Sequence, residues 1–147
     1  MTEHKSVSIL LVEDDLGHAR LIEKNLRRSM INNEIINLTD GQKAVDFLFG
    51  EGEYKDSRPP LPLLVLLDLN MPVLDGYEVL KRMKSNGRTK NVPVVILTST
   101  DDPREVSKCY DLGCNVYISK PVDYEKFAEA IQKLGLFLSI VMIPQGD

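Results

Sequence analysis

Residues 63–76 read LLVLLDLNMPVLDG: five apolar residues that stop at an aspartate and run into a turn. An unbroken apolar run of that length alternates with neither a period of 2 nor one of 3.6. It is the pattern of a strand covered on both faces, as inside a parallel sheet. Asn70, Pro72 and Gly76 supply turn chemistry behind it. The reading places Asp68 at the carboxyl end of a central strand. Outward from it, similar runs occur at 7–12 (VSILLV), 34–38 (EIINL), 92–97 (VPVVIL) and 116–119 (VYIS). Segments of helical period lie between them. Ala19, Ile22, Leu26 and Met30 fall at steps of three and four, as do Phe127, Ile131, Leu134 and Leu138, so each set makes one apolar stripe. Shorter helices fit 42–49, 76–85 and 103–112, the last opened by Asp102 as N-cap and Pro103 at the first helical position. Strand and helix in alternation imply βαβ units, and right-handed crossovers place helices on both faces of one open sheet. The expected fold is α/β: a doubly wound, flavodoxin-like, five-stranded parallel sheet in the order 2-1-3-4-5. Such sheets bind ligands beyond the carboxyl ends of their strands.

Bulk properties fit one domain over residues 1–147, with 43% apolar and 27% charged residues. Eighteen basic and 22 acidic residues are mixed along the chain to a net charge of −4, which argues against direct DNA binding. The start lacks the basic and long apolar regions of a secretory signal. No apolar run approaches the roughly 20 residues that span a bilayer, so no membrane association and a cytoplasmic location are expected. Cys109 and Cys114, five apart, suit neither a zinc site nor a redox pair and read as free thiols in the packing. His4 and His18 carry no pattern, and His18 falls on the polar side of its helix. Residues 50–62 (GEGEYKDSRPPLP), with three prolines, read as a surface insertion. Residues 134–143 (LGLFLSIVMI) hold eight apolar residues in ten, more than one helical stripe needs, and either pack back or contact another chain.

The strand ends carry the chemistry. Glu13, Asp14 and Asp15 follow the first, Asp68 the third, Thr98 and Ser99 the fourth, and Lys120 with Pro121 the fifth. The first, third and fourth strands are neighbours in this order, so their end residues converge. Crowded carboxylates repel unless protonated or bound to a hard cation with oxygen ligands, and Glu13, Asp14 and Asp68 therefore read as a Mg2+ pocket. Asp15 is also a fitting cap for a helix starting at Leu16. A lysine at a strand end is ordinarily one half of a salt bridge. Aimed into an acidic pocket, Lys120 would rest on Asp68 and could hold an incoming phosphoryl oxygen. A cis Lys120–Pro121 bond would aim it there. Thr98 offers a hydroxyl, and the small Ser99 leaves room above the carboxylate.

The stretches ILLVEDD, LLDLNMPVLDGYEVL, PVVILTS and YISKP, in this order and spacing, resemble the receiver domains of two-component response regulators, with their CheY-like fold, over about residues 7–138. The resemblance implies that Asp68 is the phosphoacceptor, that Asp14 binds Mg2+ directly and Glu13 through water, and that Asn70 lends a backbone carbonyl to the metal. Mn2+ or Ca2+ could take the place of Mg2+. It further implies that Thr98 and Lys120 bind phosphoryl oxygens and that Tyr117 is an aromatic switch coupled to Thr98. The insertion and the apolar extension over 139–147 resemble those of receivers that partner cyanobacterial phytochrome histidine kinases. From this follow a histidine kinase as phosphodonor and a homodimer through the last helix and tail.

A phosphohydrolase built on a strand-end aspartate and Mg2+ needs a second acid two residues later, and this chain has Asn70. An amide cannot protonate a leaving group, so the expectation is a phosphoacceptor rather than an enzyme with turnover. A dinucleotide or flavin binder would need a glycine-rich loop where the first strand here ends in EDD.

Overall fold

The computed structural model describes residues 6–28, 30–60, 63–71, 73–99 and 102–134, with backbone only at 124 and 131. Five parallel strands, β1 (Ser8–Val12), β2 (Ile35–Leu38), β3 (Leu63–Asp68), β4 (Val94–Thr98) and β5 (Val116–Ser119), form one sheet in the order β2-β1-β3-β4-β5. The helices are α1 (Leu16–Arg28), α2 (Gly41–Phe49), α3 (Gly76–Lys84), α4 (Pro103–Asp111) and α5 (Tyr124–Lys133). The expected sheet order is the observed one.

Alternation along each strand divides the core in two. Leu10, Val12, Val65, Leu67, Val94 and Ile96 pack with α2, α3 and α4 residues such as Leu48, Leu80 and Cys109. Ile9, Leu11, Leu64, Leu66, Val95 and Leu97 pack with Ile22 and Leu26 of α1 and Phe127 of α5 on the opposite face. Both cysteines are free and buried, as expected of packing thiols. Burial pushes their pKa values up, to about 11 for Cys109 and about 12 for Cys114.

Four helix starts are fixed by aspartates that precede them. Asp15, Asp40, Asp75 and Asp123 accept from the N–H groups of His18, Lys43, Glu78 and Lys126 at 2.7 to 3.0 Å, which satisfies donors the helix itself cannot. Asp102 does the same for α4, accepting from Arg104 N–H.

Several expected boundaries move. Met30, expected as the last residue of the α1 stripe, lies beyond the helix in a left-handed turn at φ 69°. There Met30 N–H donates to Arg27 and the N–H of Ile31 to Leu26, so Ile31 takes the buried place. β4 begins two residues later than the apolar run, because Pro93 has no N–H for the ladder; its carbonyl instead accepts from Val65 N–H. Val7 and Glu34 fall just outside their strands, Ser85 and Leu112 are helix caps, and Gly41 joins α2. β3 and β4 run one residue further than expected. Asp68 pairs with Leu97 and Thr98 with Ser119, so these two polar residues are themselves the last rungs of buried strands.

Residues 50–60 of the insertion run around a 3-10 turn, Gly52–Tyr54, with Tyr54 edge-on to Phe47 at 5.3 Å between ring centroids. Leu138, Pro72, His4 and the apolar segment from residue 135 onward lie outside the described residues. Among those described, no helix is long and apolar enough to cross a membrane.

Candidate functional site

The end of β1 delivers Glu13 inward. Its N–H continues the ladder by donating to Leu38, and its side chain is fully buried. Asp14 turns outward and is exposed. Asp68, on the last rung of β3, is 4% exposed. Carboxylate oxygens of Glu13, Asp14 and Asp68 all lie within 4.8 Å of one another.

Close packing behind β3 holds this arrangement. Gly76 N–H donates to Leu69 at 3.0 Å, and a Cβ on Gly76 would stand 2.3 Å from the Asp68 carbonyl oxygen. Only glycine lets the start of α3 approach so near the acidic residue.

Burial, first, pushes the Asp68 carboxyl up to about 7, reinforced by its hydrogen bond with Glu13 and by the Glu13 charge, against the opposing pulls of Lys120 and the Asn70 N–H. Two acids here share what one proton can relieve. Glu13 Oε2 is moreover buried without a hydrogen-bond partner among the described residues. A divalent cation would satisfy both conditions: it would replace the shared proton and give the orphaned oxygen a partner through one of its bound waters. The donor set, all oxygen, suits Mg2+ or Mn2+.

Lys120 enters from β5. Its N–H donates to the Thr98 carbonyl at 2.7 Å, and the Lys120–Pro121 peptide is cis, as the sequence led us to expect. Two side chains brace the turn: Asn25 donates to Val122, and Lys126 to Ser119 and Pro121. Contrary to the expectation of a resting contact with Asp68, the lysine lies chiefly on Glu13. Its Nζ is in contact with Glu13 Oε1, while Asp68 Oδ1 is 3.7 Å away. The shift has a physical cause: the Glu13 side chain is cut off from water altogether, and a carboxyl so buried needs a charged partner more than one that keeps some solvent contact.

Thr98 is fully buried at the end of β4, and Ser99 beyond it is exposed. Asn70 is exposed two residues past Asp68, and Tyr117 is half-buried on β5, against the cluster that α4 covers. The sequence reading passed over His18. Its Nδ1 lies 3.3 Å from Lys120 Nζ and 3.6 Å from Glu13 Oε1. Two signals pointed to it. Side chains on a helix lean toward its N-terminus, and His18 follows the capping Asp15 by three residues, so its ring hangs over the end of β1. The His18 N–H is in turn the chief reason that the Asp15 carboxyl lies below the usual range.

The chain is similar to known proteins over nearly its whole length. The family described as the response regulator receiver domain matches residues 9–132. Response regulator Rcp1 of Synechocystis sp. is 41% identical over 137 residues, 92% of each chain. A solved Mn2+-bound form of Rcp1 aligns with a TM-score of 0.74 at 38% identity, over 95% of this chain and 99% of that one. The bacteriophytochrome response regulator AtBRR aligns at TM-score 0.80 and 34% identity over 97% and 99% of the two chains. A receiver domain from Rhodospirillum rubrum is 56% identical at TM-score 0.73, over 96% and 99%. With the matched motifs lying on the strand ends that build the acidic pocket, the chain belongs to the response regulator receiver domain family, and phytochrome response regulators are among its relatives.

Proposed function

We propose that this protein takes a phosphoryl group onto Asp68 from the phosphohistidine of a partner histidine kinase and passes the signal on by changing its contacts with other proteins. One observation carries the reading: Glu13, Asp14 and Asp68, two of them buried, bring carboxylate oxygens within 4.8 Å of one another, with the Lys120 ammonium against Glu13 and 3.7 Å from Asp68. Asp68 is the nucleophile. Its Oδ forms a bond to phosphorus in line with the breaking P–N bond, and the imidazole leaves to the kinase. Glu13, Asp14, Asp68 and the Asn70 carbonyl would hold Mg2+, which when bound neutralises charge on the phosphoryl oxygens. Lys120 turns an N–H toward one of those oxygens, and the Thr98 hydroxyl receives another. The drawing in of Thr98 biases β4, the loop after it and Tyr117 toward a second arrangement.

Asn70 supplies no acid for a leaving group, which supports storage of the acyl phosphate rather than turnover. The phytochrome relatives support a kinase of a light-sensing pathway as the donor. The last helix and the apolar tail are the proposed surface for a second copy. Incubation of the full chain with Mg2+ and acetyl phosphate, read by intact mass, is expected to add one phosphoryl group to the wild type and none to Asp68→Asn. No gain in the wild type, or an equal gain in the variant, overturns the reading.

A further inference from the structure

An ammonium has three N–H donors and no lone pair. Around Lys120 Nζ stand Glu13 Oε1 in contact, Asp68 Oδ1 at 3.7 Å and His18 Nδ1 at 3.3 Å. The same ring nitrogen is 3.6 Å from Glu13 Oε1 and 3.8 Å from Asp15 Oδ2. Those two separations are too long for hydrogen bonds, whereas 3.3 Å to the lysine is within reach. Since the ammonium can only donate, the contact requires an unprotonated Nδ1, with the ring hydrogen on Nε2. Position is not left to chance either. His18 is locked to its cap by the 3.0 Å bond from its N–H to Asp15, and the ring's other side meets solvent, its side chain being 53% exposed.

We propose that His18 is a positioning residue for Lys120: its neutral Nδ1 accepts one ammonium hydrogen and holds the lysine head between Glu13 and Asp68. The inference rests on the reading of Asp68 as phosphoacceptor and adds a residue to it. The Glu13 contact alone leaves the ammonium free to turn about that one bond. A neutral acceptor on the α1 side restrains the head without adding negative charge to a pocket already crowded with it. The donor facing Asp68 is then free to meet a phosphoryl oxygen, while the other two stay occupied. His18 touches neither the acceptor carboxylate nor the phosphoryl group in this arrangement, and acts through the lysine.

Two measurements on the full chain test it. In a nitrogen-15 correlation spectrum of the histidine rings, recorded where the rings are neutral, His18 is expected in the Nε2–H tautomer with Nδ1 unprotonated. That Nδ1 resonance is expected to move in Lys120→Met. A His18 ring protonated on Nδ1, or one indifferent to Lys120→Met, overturns the proposal. In phosphoryl uptake from acetyl phosphate with saturating Mg2+, His18→Ala is expected to be about three- to ten-fold slower, the worth of one ordinary hydrogen bond, because the half-exposed ring is replaced in part by water. His18→Gln, whose amide oxygen offers the same kind of acceptor, is expected within about two-fold of wild type, and both variants should bind Mg2+ as the wild type does. Wild-type rates in His18→Ala, failure of His18→Gln to rescue, or a parallel loss of Mg2+ affinity would each sink it. Should the wild type gain no mass at all, the phosphoacceptor reading is what fails, and the ring spectrum then decides the His18–Lys120 contact by itself.

Discussion

Asp68 ionises against burial and against Glu13, so its affinity for a cation depends on pH. Its folded pKa, about 7, lies above the usual carboxylate value. In the metal-free protein the native state therefore holds a proton that the unfolded chain gives up near pH 4, and stability falls as pH rises from about 4 to 7. Mg2+ must displace that proton. Its affinity should increase about tenfold per pH unit up to about pH 7 and level off above, as measured by calorimetric titration between pH 5.5 and 8.5. Asp68→Asn should flatten the profile, and a profile already flat in the wild type would show that the carboxyl is not proton-linked. Val73 is a second residue with a measurable consequence. It is β-branched, 81% exposed and held at φ 68°, a conformation that is strained for such a side chain. Val73→Asn, which tolerates that region and loses little burial, should raise stability by about 1 kcal/mol in urea unfolding. Much of the site was legible because its residues end hydrophobic runs: Glu13, Asp68, Thr98 and Lys120 stand where an apolar strand stops. His18 was legible only in part: its place three residues after the capping Asp15 puts it near the end of β1, but its contact with Lys120 depends on how α1 sits against the turn after β5, and no periodicity encodes that.

Among elements, the start of α3 is the piece that most directly sets the site. A Cβ at Gly76 would meet the Asp68 carbonyl oxygen at 2.3 Å and Leu69 Cα at 2.8 Å, both backbone atoms that cannot swing aside. Gly76→Ala should cost about 1–3 kcal/mol and slow phosphoryl uptake, because relief comes only by moving β3's last rung away from α3. Thermal unfolding and the uptake rate together check this; a destabilised variant with an unchanged rate would mean that the strain is relieved on the helix side. α3's other end gives a contrast. Lys84 Nζ donates to the carbonyls of Lys90 and Val92 and to Asn115 Oδ1, pinning the loop before β4 at the edge away from the carboxylates. Burial holds the pKa of this lysine below its ordinary value. Lys84→Met should lower stability by about 1–3 kcal/mol while leaving the uptake rate at the wild-type level, since it strips partners from half-buried carbonyls far from Asp68. Helix starts were readable from aspartates that cap them, but ends were less so. Met30 kept the three-and-four spacing of α1 and still left the helix, because a left-handed turn let Ile31 fill the core instead.

Across the molecule, the alternation of strand and helix decides a parallel, doubly wound sheet, the flavodoxin-like resemblance supplies its strand order, and that order decides which strand ends meet. That chain of dependence is why the layers could be read from pattern, whereas the insertion at 50–62 could not: its 3-10 turn is placed by contacts to α2, among them Tyr54 edge-on to Phe47 and Glu51 N–H on the Asp46 carbonyl, with no period of its own. The described residues already close the core. Both faces of the sheet are covered, with Phe127 and Ala130 of α5 completing one side. An apolar run as long as 135–143, if exposed on a lone molecule, would exceed the usual exposed patch. If it serves a second copy, a chain ending at residue 134 should keep the fold and lose the association. Its thermal midpoint, taken at a concentration where the full chain is monomeric, should stay within about 3 °C of the full chain, and phosphoryl uptake should persist. Sedimentation equilibrium of the full chain should show a dimer that the shortened chain lacks, tighter after phosphorylation if the β4 and Tyr117 rearrangement reaches α5. A full chain that sediments as a monomer in both states removes the tail as a dimer surface, and a shortened chain that still dimerises transfers the interface to the helices.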